Sequence, residues 1–231
     1  IISEQLKHLN VEATMLPFSE FNEEGACAFK DEETLKFRPV GHEGFDMPVD
    51  ELSLPGLHNL YNSMAAGLSA SLLDIKKEVI RKALSDFEAV EHRLEYVATI
   101  DGVRYINDSK ATNVNSCWYA LESVNTPIVL ILGGKDKGND YSEIEKFVKA
   151  KVSAIVCMGK DNTKIKDFFA GKVPYIADTH SMEEAVSECA RIAKPGETVL
   201  LSPCCASFDL FKSYEDRGRQ FKDCVNKMNK Q

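Results

Sequence analysis

The sequence predicts an α/β protein built on a mostly parallel, Rossmann-like sheet with flanking helices, and three observations carry that expectation. Beyond Arg93, short apolar runs alternate with amphipathic stretches of helical length. Strands and helices in that rhythm are βαβ units, whose crossovers make neighbouring strands parallel. Pro127–Leu132 is apolar throughout rather than alternating, as a strand buried on both faces must be. Finally, polar clusters follow directly on two apolar runs, in Tyr105-Ile-Asn-Asp-Ser-Lys-Ala-Thr-Asn113 and in Leu200-Leu-Ser-Pro-Cys-Cys-Ala-Ser-Phe-Asp209. Polar side chains at the carboxyl ends of strands are where such folds hold ligands.

The elements follow in order. Val11–Pro17, Ala26–Phe29 and Thr34–Arg38 read as short strands separated by acidic turns, with Asp31-Glu32-Glu33 at one tip. Pro55-Gly56 leads into a helix, Leu57–Leu72, where Leu60, Met64 and Leu68 form a stripe at helical spacing. A second helix is expected over Lys76–Phe87. The three strands have no evident sheet to join, so residues 1–90 read as an incomplete domain, with a boundary near Ala89–His92. Glu95–Ile100 and Val103–Ile106 then flank Asp101-Gly102, a hairpin signal. After them come helix Val114–Val124, strand Pro127–Leu132 ending in Gly133-Gly134, helix Tyr141–Lys149 and strand Val152–Met158. Helix Asn162–Phe169, strand Val173–Ala177, helix Met182–Ala193 and strand Thr198–Leu201 continue the alternation. An amphipathic helix within Glu215–Lys227 closes it, so residues 91–231 make a complete domain.

Composition narrows the function. The net charge of −8 and the dispersed basic residues argue against a nucleic-acid groove. A local anion site remains compatible, because steering follows local potential rather than the total. No apolar run approaches the roughly 20 residues that span a bilayer. Seven cysteines without a C-x-x-C pair suit neither a disulfide framework nor a zinc site, so a reduced, cytoplasmic protein is expected.

Five clusters are candidate sites, and each has a plainer reading. In Asn107–Asn113 the plain reading is a helix cap by Thr112 or Asn113. Against it, Asp108, Lys110 and Thr112 offer a carboxylate, a point charge and a hydroxyl in one turn. Asn59 and Asn62 stand three apart near a helix start, as capping or solvated residues do. His58 beside them reads as a structural residue. Arg93 in Glu91-His-Arg-Leu-Glu95, at the domain junction, would ordinarily be a solvated linker residue. Gly133-Gly-Lys-Asp-Lys-Gly138 has neither dinucleotide nor Walker A spacing, but Lys135 and Lys137 make it cationic. Ser207, followed by Phe208, could seat a carboxylate with the main-chain groups of a helix start. Cys204 and Cys205 lack a basic neighbour in sequence and are not read as nucleophiles.

These strings, with G-x-H-N-x-x-N-x-x-A-A over Gly56–Ala66 and Arg217-Gly218 near the end, resemble the Mur ligases, and among them the D-glutamate-adding branch. The resemblance covers nearly the whole chain. It implies an ATP-dependent amide ligase that joins D-glutamate to UDP-N-acetylmuramoyl-L-alanine through an acyl phosphate. It also implies a full-length monomer in the cytoplasm, with no nucleic acid and no membrane insertion. Asn59, Asn62, Arg93, Asp108 and Lys110 would then face ATP, with Lys110 also at the reacting carboxyl group. Thr112, Lys137, Ser207, Phe208 and Tyr214 would hold D-glutamate, with Lys135 the competitor of Lys137. No D-N-P-R loop of the diaminopimelate-adding enzyme occurs, which favours D-glutamate. The alternatives are another Mur-type or folylpolyglutamate-type ligase, or a non-catalytic α/β binding module. A dinucleotide-dependent oxidoreductase lacks its G-x-G-x-x-G here.

The family's G-[TS]-x-G-K-[ST] phosphate loop occurs nowhere in these residues. Residues 1–90 are therefore expected to be the tail of the central ATPase domain, with the Mg2+ ligands in the front half of the enzyme. Phosphoryl transfer depends on that cradle and its metal, so the 231 residues alone are expected to release no phosphate from ATP with both substrates and Mg2+ present. Turnover at a rate comparable to the complete enzyme would contradict this.

Overall fold

The computed structural model describes residues 13–54, 56–87 and 90–228. The chain divides into two compact units, Ile1–Ala89 and Val90–Gln231.

In the first unit, four short strands form one sheet in the order β1 (Phe18–Ser19), β2 (Ala28–Asp31), β3 (Thr34–Phe37) and β4 (Phe45–Pro48). β1 runs parallel to β2, and the other pairs are antiparallel. Along β3 and β4, burial alternates with period two: Leu35, Phe37, Phe45 and Met47 point inward, while Lys36 and Asp46 do not. Helices α1 (Leu57–Leu72) and α2 (Lys77–Asp86) supply the other half of this core through Leu60, Met64, Leu68 and Ile80. Phe37 stacks on Phe45 with ring centroids 4.3 Å apart. The expectation of strands without a sheet is thus corrected. Phe45–Pro48 completes a small sheet, and its four residues with a terminal proline gave no strand signal. The strand expected over Val11–Pro17 lies partly outside the described residues, and residues 13–17 form no strand; pairing begins at Phe18.

The second unit is a six-stranded sheet in the order β5 (Glu95–Ile100), β6 (Val103–Asn107), β10 (Thr198–Leu201), β7 (Ile128–Leu132), β8 (Val152–Met158) and β9 (Ile176–Thr179). All pairs are parallel except β5–β6, whose hairpin turns through Asp101 and Gly102, both at positive φ. Helices α3 (Val114–Ser123), α4 (Ser142–Lys151) and α5 (Thr163–Phe169) cover one face, and α6 (Met182–Ile192) and α7 (Tyr214–Met228) cover the other. Sandwiched between helices, β7 is buried at all five positions, which is why its sequence is uniformly apolar. Each fully buried Leu or Ile of such a strand contributes about 1.5–3 kcal/mol.

The path of the chain makes a switch point. From β6 it crosses to β7, β8 and β9 by way of α3, α4 and α5 on one face. It then returns through α6 on the opposite face and inserts β10 between β6 and β7. Connections that diverge to opposite faces open a crevice at the strands' carboxyl ends. The loops after β6, β10 and β7 meet there.

Candidate functional site

Backbone hydrogen bonds knit these three loops where the ladders end. The Asp108 amide donates to the Leu201 carbonyl at 2.8 Å, and Gly133 donates to Pro203 at 3.0 Å. Further out, the Lys135 amide donates to the Ala206 carbonyl at 2.8 Å, an isolated antiparallel bridge. That approach needs a glycine beside it. A Cβ on Gly134, whose φ is +130°, would stand 2.4 Å from the Ala206 oxygen and 3.3 Å from Nη1 of Arg217.

Arg217 is the centre of the assembly. It is fully buried on the apolar stripe of α7 that also carries Phe221, Cys224 and Val225. Its Nη1 donates to the Cys205 carbonyl at 3.1 Å, its Nη2 to the Ser109 carbonyl at 2.8 Å and its Nε to the Ser109 hydroxyl at 3.0 Å. The Ser109 hydroxyl passes its own proton to the Tyr214 carbonyl at 2.8 Å. One guanidinium thereby fastens the loop after β6, the loop after β10 and the start of α7. Burial pulls its pKa down to about 10, still well above neutral pH, so it remains a cation.

Asp108 and His92 tie the start of the unit to the same place. Asp108 accepts the Ser202 hydroxyl at 2.8 Å and the Leu94 amide at 3.2 Å. His92 is buried, and burial lowers its pKa, so it is neutral. Its Nδ1 accepts from the Asn107 amide at 2.9 Å, and its carbonyl accepts from the Lys110 amide at 3.0 Å. Glu91, His92 and Glu95 bring ligating atoms within 4.8 Å of one another. Nε2 faces Glu91 and Nδ1 faces Glu95, on different sides of the ring, and the Lys222 ammonium already joins both carboxylates.

The expected site residues fall into two groups. Asp108, Lys110, Thr112, Lys137, Ser207, Phe208 and Tyr214 all lie on, or at the end of, the three knitted loops. Asp108 and Ser207 are buried, Phe208 and Lys137 are exposed, and Thr112, Lys110 and Tyr214 are half-buried. The Lys110 ammonium lies 5.8 Å from the centre of the Tyr214 ring. Arg93 sits at the start of the unit between two residues of positive φ, His92 at 67° and Leu94 at 43°. Asn59 and Asn62 belong to the other unit, on the first turns of α1, with Asn59 buried and Asn62 exposed. Of the two caps open to the sequence, Asn113 is the one used at α3, accepting from the Ser116 amide at 2.8 Å. One local expectation needs correction. No helix starts at Ser207; a single turn, closed by Phe211 N–H donating to the Ser207 carbonyl at 2.9 Å, precedes α7 at Tyr214.

Charge is distributed unevenly at this edge. Asp140 and Asp161 are spent on the amides of Ser142 and Thr163 at helix starts, and Asp209 accepts from the Lys160 amide. Lys110, Lys135, Lys137, Lys160 and Lys212, all on loops of this edge, enter no ion pair among the described residues. A chain of net charge −8 therefore presents free ammonium groups where its strands end.

Arg217, His92 and Asn107 were not singled out individually from the sequence. An arginine reads as solvated surface, but Arg217 shares the buried stripe of Phe221, Cys224 and Val225, four, seven and eight residues on. That placement was the available signal.

Asp108 carries a pH signature. Burial raises its pKa from the usual 3.8 to about 7, against the lowering effect of the Ser202 and Leu94 hydrogen bonds. A carboxyl group raised in the folded state favours folding most when protonated. Its contribution is therefore full below about pH 4 and is lost as pH climbs through 7, by roughly 4 kcal/mol at most. Denaturant unfolding of the chain and of Asp108→Asn across this range tests it. The stability difference between them should change with pH in that direction, and a pH-independent difference would contradict it.

Comparison with known proteins identifies relatives of the chain. Residues 92–205 match the Mur ligase, glutamate ligase domain. The UDP-N-acetylmuramoylalanine--D-glutamate ligase of Bacteroides fragilis is 56% identical over 230 residues, 99% of this chain and 51% of its own. The enzyme of the same name from Porphyromonas gingivalis is 52% identical over 91% of this chain and 47% of its own. The chain thus spans about half the length of the relatives it matches. Among solved structures, the MurF ligase of Thermotoga maritima, crystallised with ADP, superposes with a TM-score of 0.61 at 16% identity. It covers 92% of this chain and 49% of its own, a likeness of fold alone. No described helix is long and apolar enough to cross a membrane. Identity at this level along the length of the chain, with the matched domain covering β5 to β10, makes the chain a member of the Mur ligase family.

Proposed function

We propose that the chain acts within an ATP-dependent ligase that adds D-glutamate to UDP-N-acetylmuramoyl-L-alanine in the cytoplasm, as a monomer when complete. The observation that carries this reading is that the motif-bearing loops leave one sheet edge, knitted together, with their lysines free of ion pairs. The relatives of that name, identical at up to 56% of positions, support the choice of substrate.

In this reading residues 91–231 are the amino-acid-binding domain and residues 1–90 belong to the central ATP-binding domain. ATP, with Mg2+, supplies the phosphoryl group that activates the L-alanyl carboxylate. The ligands of that metal are proposed to lie in the complete enzyme rather than at Glu91, His92 and Glu95. The amine of D-glutamate attacks the acyl carbon, phosphate leaves and a proton is released.

Lys110 stabilises negative charge at the phosphates and the reacting carboxyl group. Lys137 pairs with one carboxylate of D-glutamate. The hydroxyls of Thr112 and Ser207, with groups near Phe208 and Tyr214, hold the amino acid in line for attack. Arg93, Asp108, Asn59 and Asn62 contact the nucleotide. Fixed loops matter because the amine must reach a hydrolysable acyl phosphate before water does.

Steady-state kinetics of the complete enzyme test the assignment. Lys137→Ala removes one charge-assisted contact of about 1.5–3 kcal/mol, so the KM for D-glutamate should rise roughly ten- to a hundredfold. The KM for ATP should stay within about twofold. An unchanged KM for D-glutamate in Lys137→Ala, with a raised one in Lys135→Ala, would move the contact to Lys135. Silence of both would refute the site.

A further inference from the structure

The loop after β7 holds a second set of polar residues that the motif reading did not use. Asp136 stands between Lys135 and Lys137, and both of its oxygens are engaged by donors of the protein. Oδ1 accepts from the Gly138 amide at 2.6 Å, the Asn139 amide at 3.2 Å and the Lys164 ammonium at 3.1 Å. Oδ2 accepts from the Tyr141 hydroxyl at 3.1 Å. Burial alone would raise the pKa of this carboxyl group, but the four donors outweigh it and hold the group below its ordinary range. It is thus a fixed anion that curls the loop around itself.

Asn139 and Tyr141 extend the network in two directions. The Asn139 side-chain amide donates to the Cys204 carbonyl at 3.0 Å and to the Cys205 sulfur at 3.2 Å. It therefore clasps the lysine loop to the loop that carries Ser207. Tyr141 is 2% exposed and packs against Phe168 and Phe169 of α5, with centroids 6.0 and 5.8 Å away. Lys164, from the same helix, lies over the Tyr141 ring at 5.6 Å. One end of the network is set in the core, and the other grips the neighbouring loop. The two residues it leaves outward, Lys135 and Lys137, are exposed and unpaired among the described residues.

We propose that Asp136, Asn139 and Tyr141 are positioning residues. They hold the loop of Lys135 and Lys137 against the Ser207 loop, so that an anionic amino acid meets an ammonium group already in place. A lysine on an unbraced glycine-flanked loop would lose loop freedom as well as its own upon binding, and that ordering cost would fall on the affinity for the substrate. Lys164 anchors the network through Asp136 and is therefore not a free substrate cation. This inference rests on the substrate reading given above, and the experiment separates the two.

The complete enzyme is assayed as wild type, Asp136→Ala, Asp136→Asn, Asn139→Ala, Lys137→Ala and the double variant Asp136→Ala/Lys137→Ala. D-glutamate and ATP are varied separately, and amide exchange is followed over residues 135–139. Asp136→Ala and Asn139→Ala should each raise the KM for D-glutamate about tenfold, leave that for ATP within about twofold and speed exchange in the loop. Asp136→Asn keeps one oxygen acceptor and should recover most of the loss. Asn139→Ala serves as the test if Asp136→Ala does not fold. Because the brace acts through the lysine, the double variant should be no worse in KM than Lys137→Ala alone. If Lys137→Ala raises the KM but the Asp136 and Asn139 variants do not, the brace is refuted while the substrate reading stands. If neither Lys137→Ala nor Lys135→Ala alters the KM, the substrate reading fails, and unchanged exchange in Asp136→Ala would independently refute the brace.

Discussion

The arrangement of the second unit depends on one buried cation. Arg217 is removed from water without a carboxylate at ion-pair distance among the described residues, an environment that costs a charged group several kcal/mol unless its donors are satisfied. The offset comes from the carbonyls of Ser109 and Cys205 and the hydroxyl of Ser109. These acceptors belong to the loops after β6 and β10. The guanidinium can therefore be satisfied only when both loops stand in their observed places, and its fork has the fixed geometry to require it. The parallel ladder of β6, β10 and β7 supplies the register, and Arg217 extends that order beyond the last ladder hydrogen bond.

Fixed loops explain the local electrostatics. Acidic side chains at this edge are used on backbone amides, at the starts of α4 and α5 and within the lysine loop, so their charge is tied to structure. The lysines between them have no such duty. The total of −8 hides this local excess of available cations, and a global count would have argued against an anion site.

Much of the second unit was legible in the sequence, because its signals are strong and local. An apolar run such as Ile128–Leu132 has only one stable environment, between two helical layers. Asp101-Gly102 supports positive φ at both turn positions, which fixes the hairpin. The first unit was read less well. Its strands are two to four residues long, and Phe45–Pro48 became visible as a strand only through its partner Thr34–Phe37. At the candidate site, residue types pointed to Lys137 and Ser207, whereas the hydrogen bonds of Arg217, His92 and Asp136 go to partners distant in sequence or set by loop geometry. The Arg217 partner Ser109 lies 108 positions away, and no local pattern encodes such a pairing. Cys204 and Cys205 were not read as nucleophiles, and both pack into the apolar core of the unit. Both thiols are buried, and burial raises their pKa values.

The central claim is that the Arg217 guanidinium holds the loops after β6 and β10 in place. Amide hydrogen exchange on Arg217→Met, which keeps the apolar stem of the side chain and removes its donors, tests it most directly. Exchange at residues 108–110 and 202–207 should quicken by at least about tenfold, the loss of a hydrogen bond to a charged group being worth about 1.5–3 kcal/mol, while β7 and β8 keep their protection. Unchanged protection of both loops in a variant that lacks the guanidinium would contradict the account.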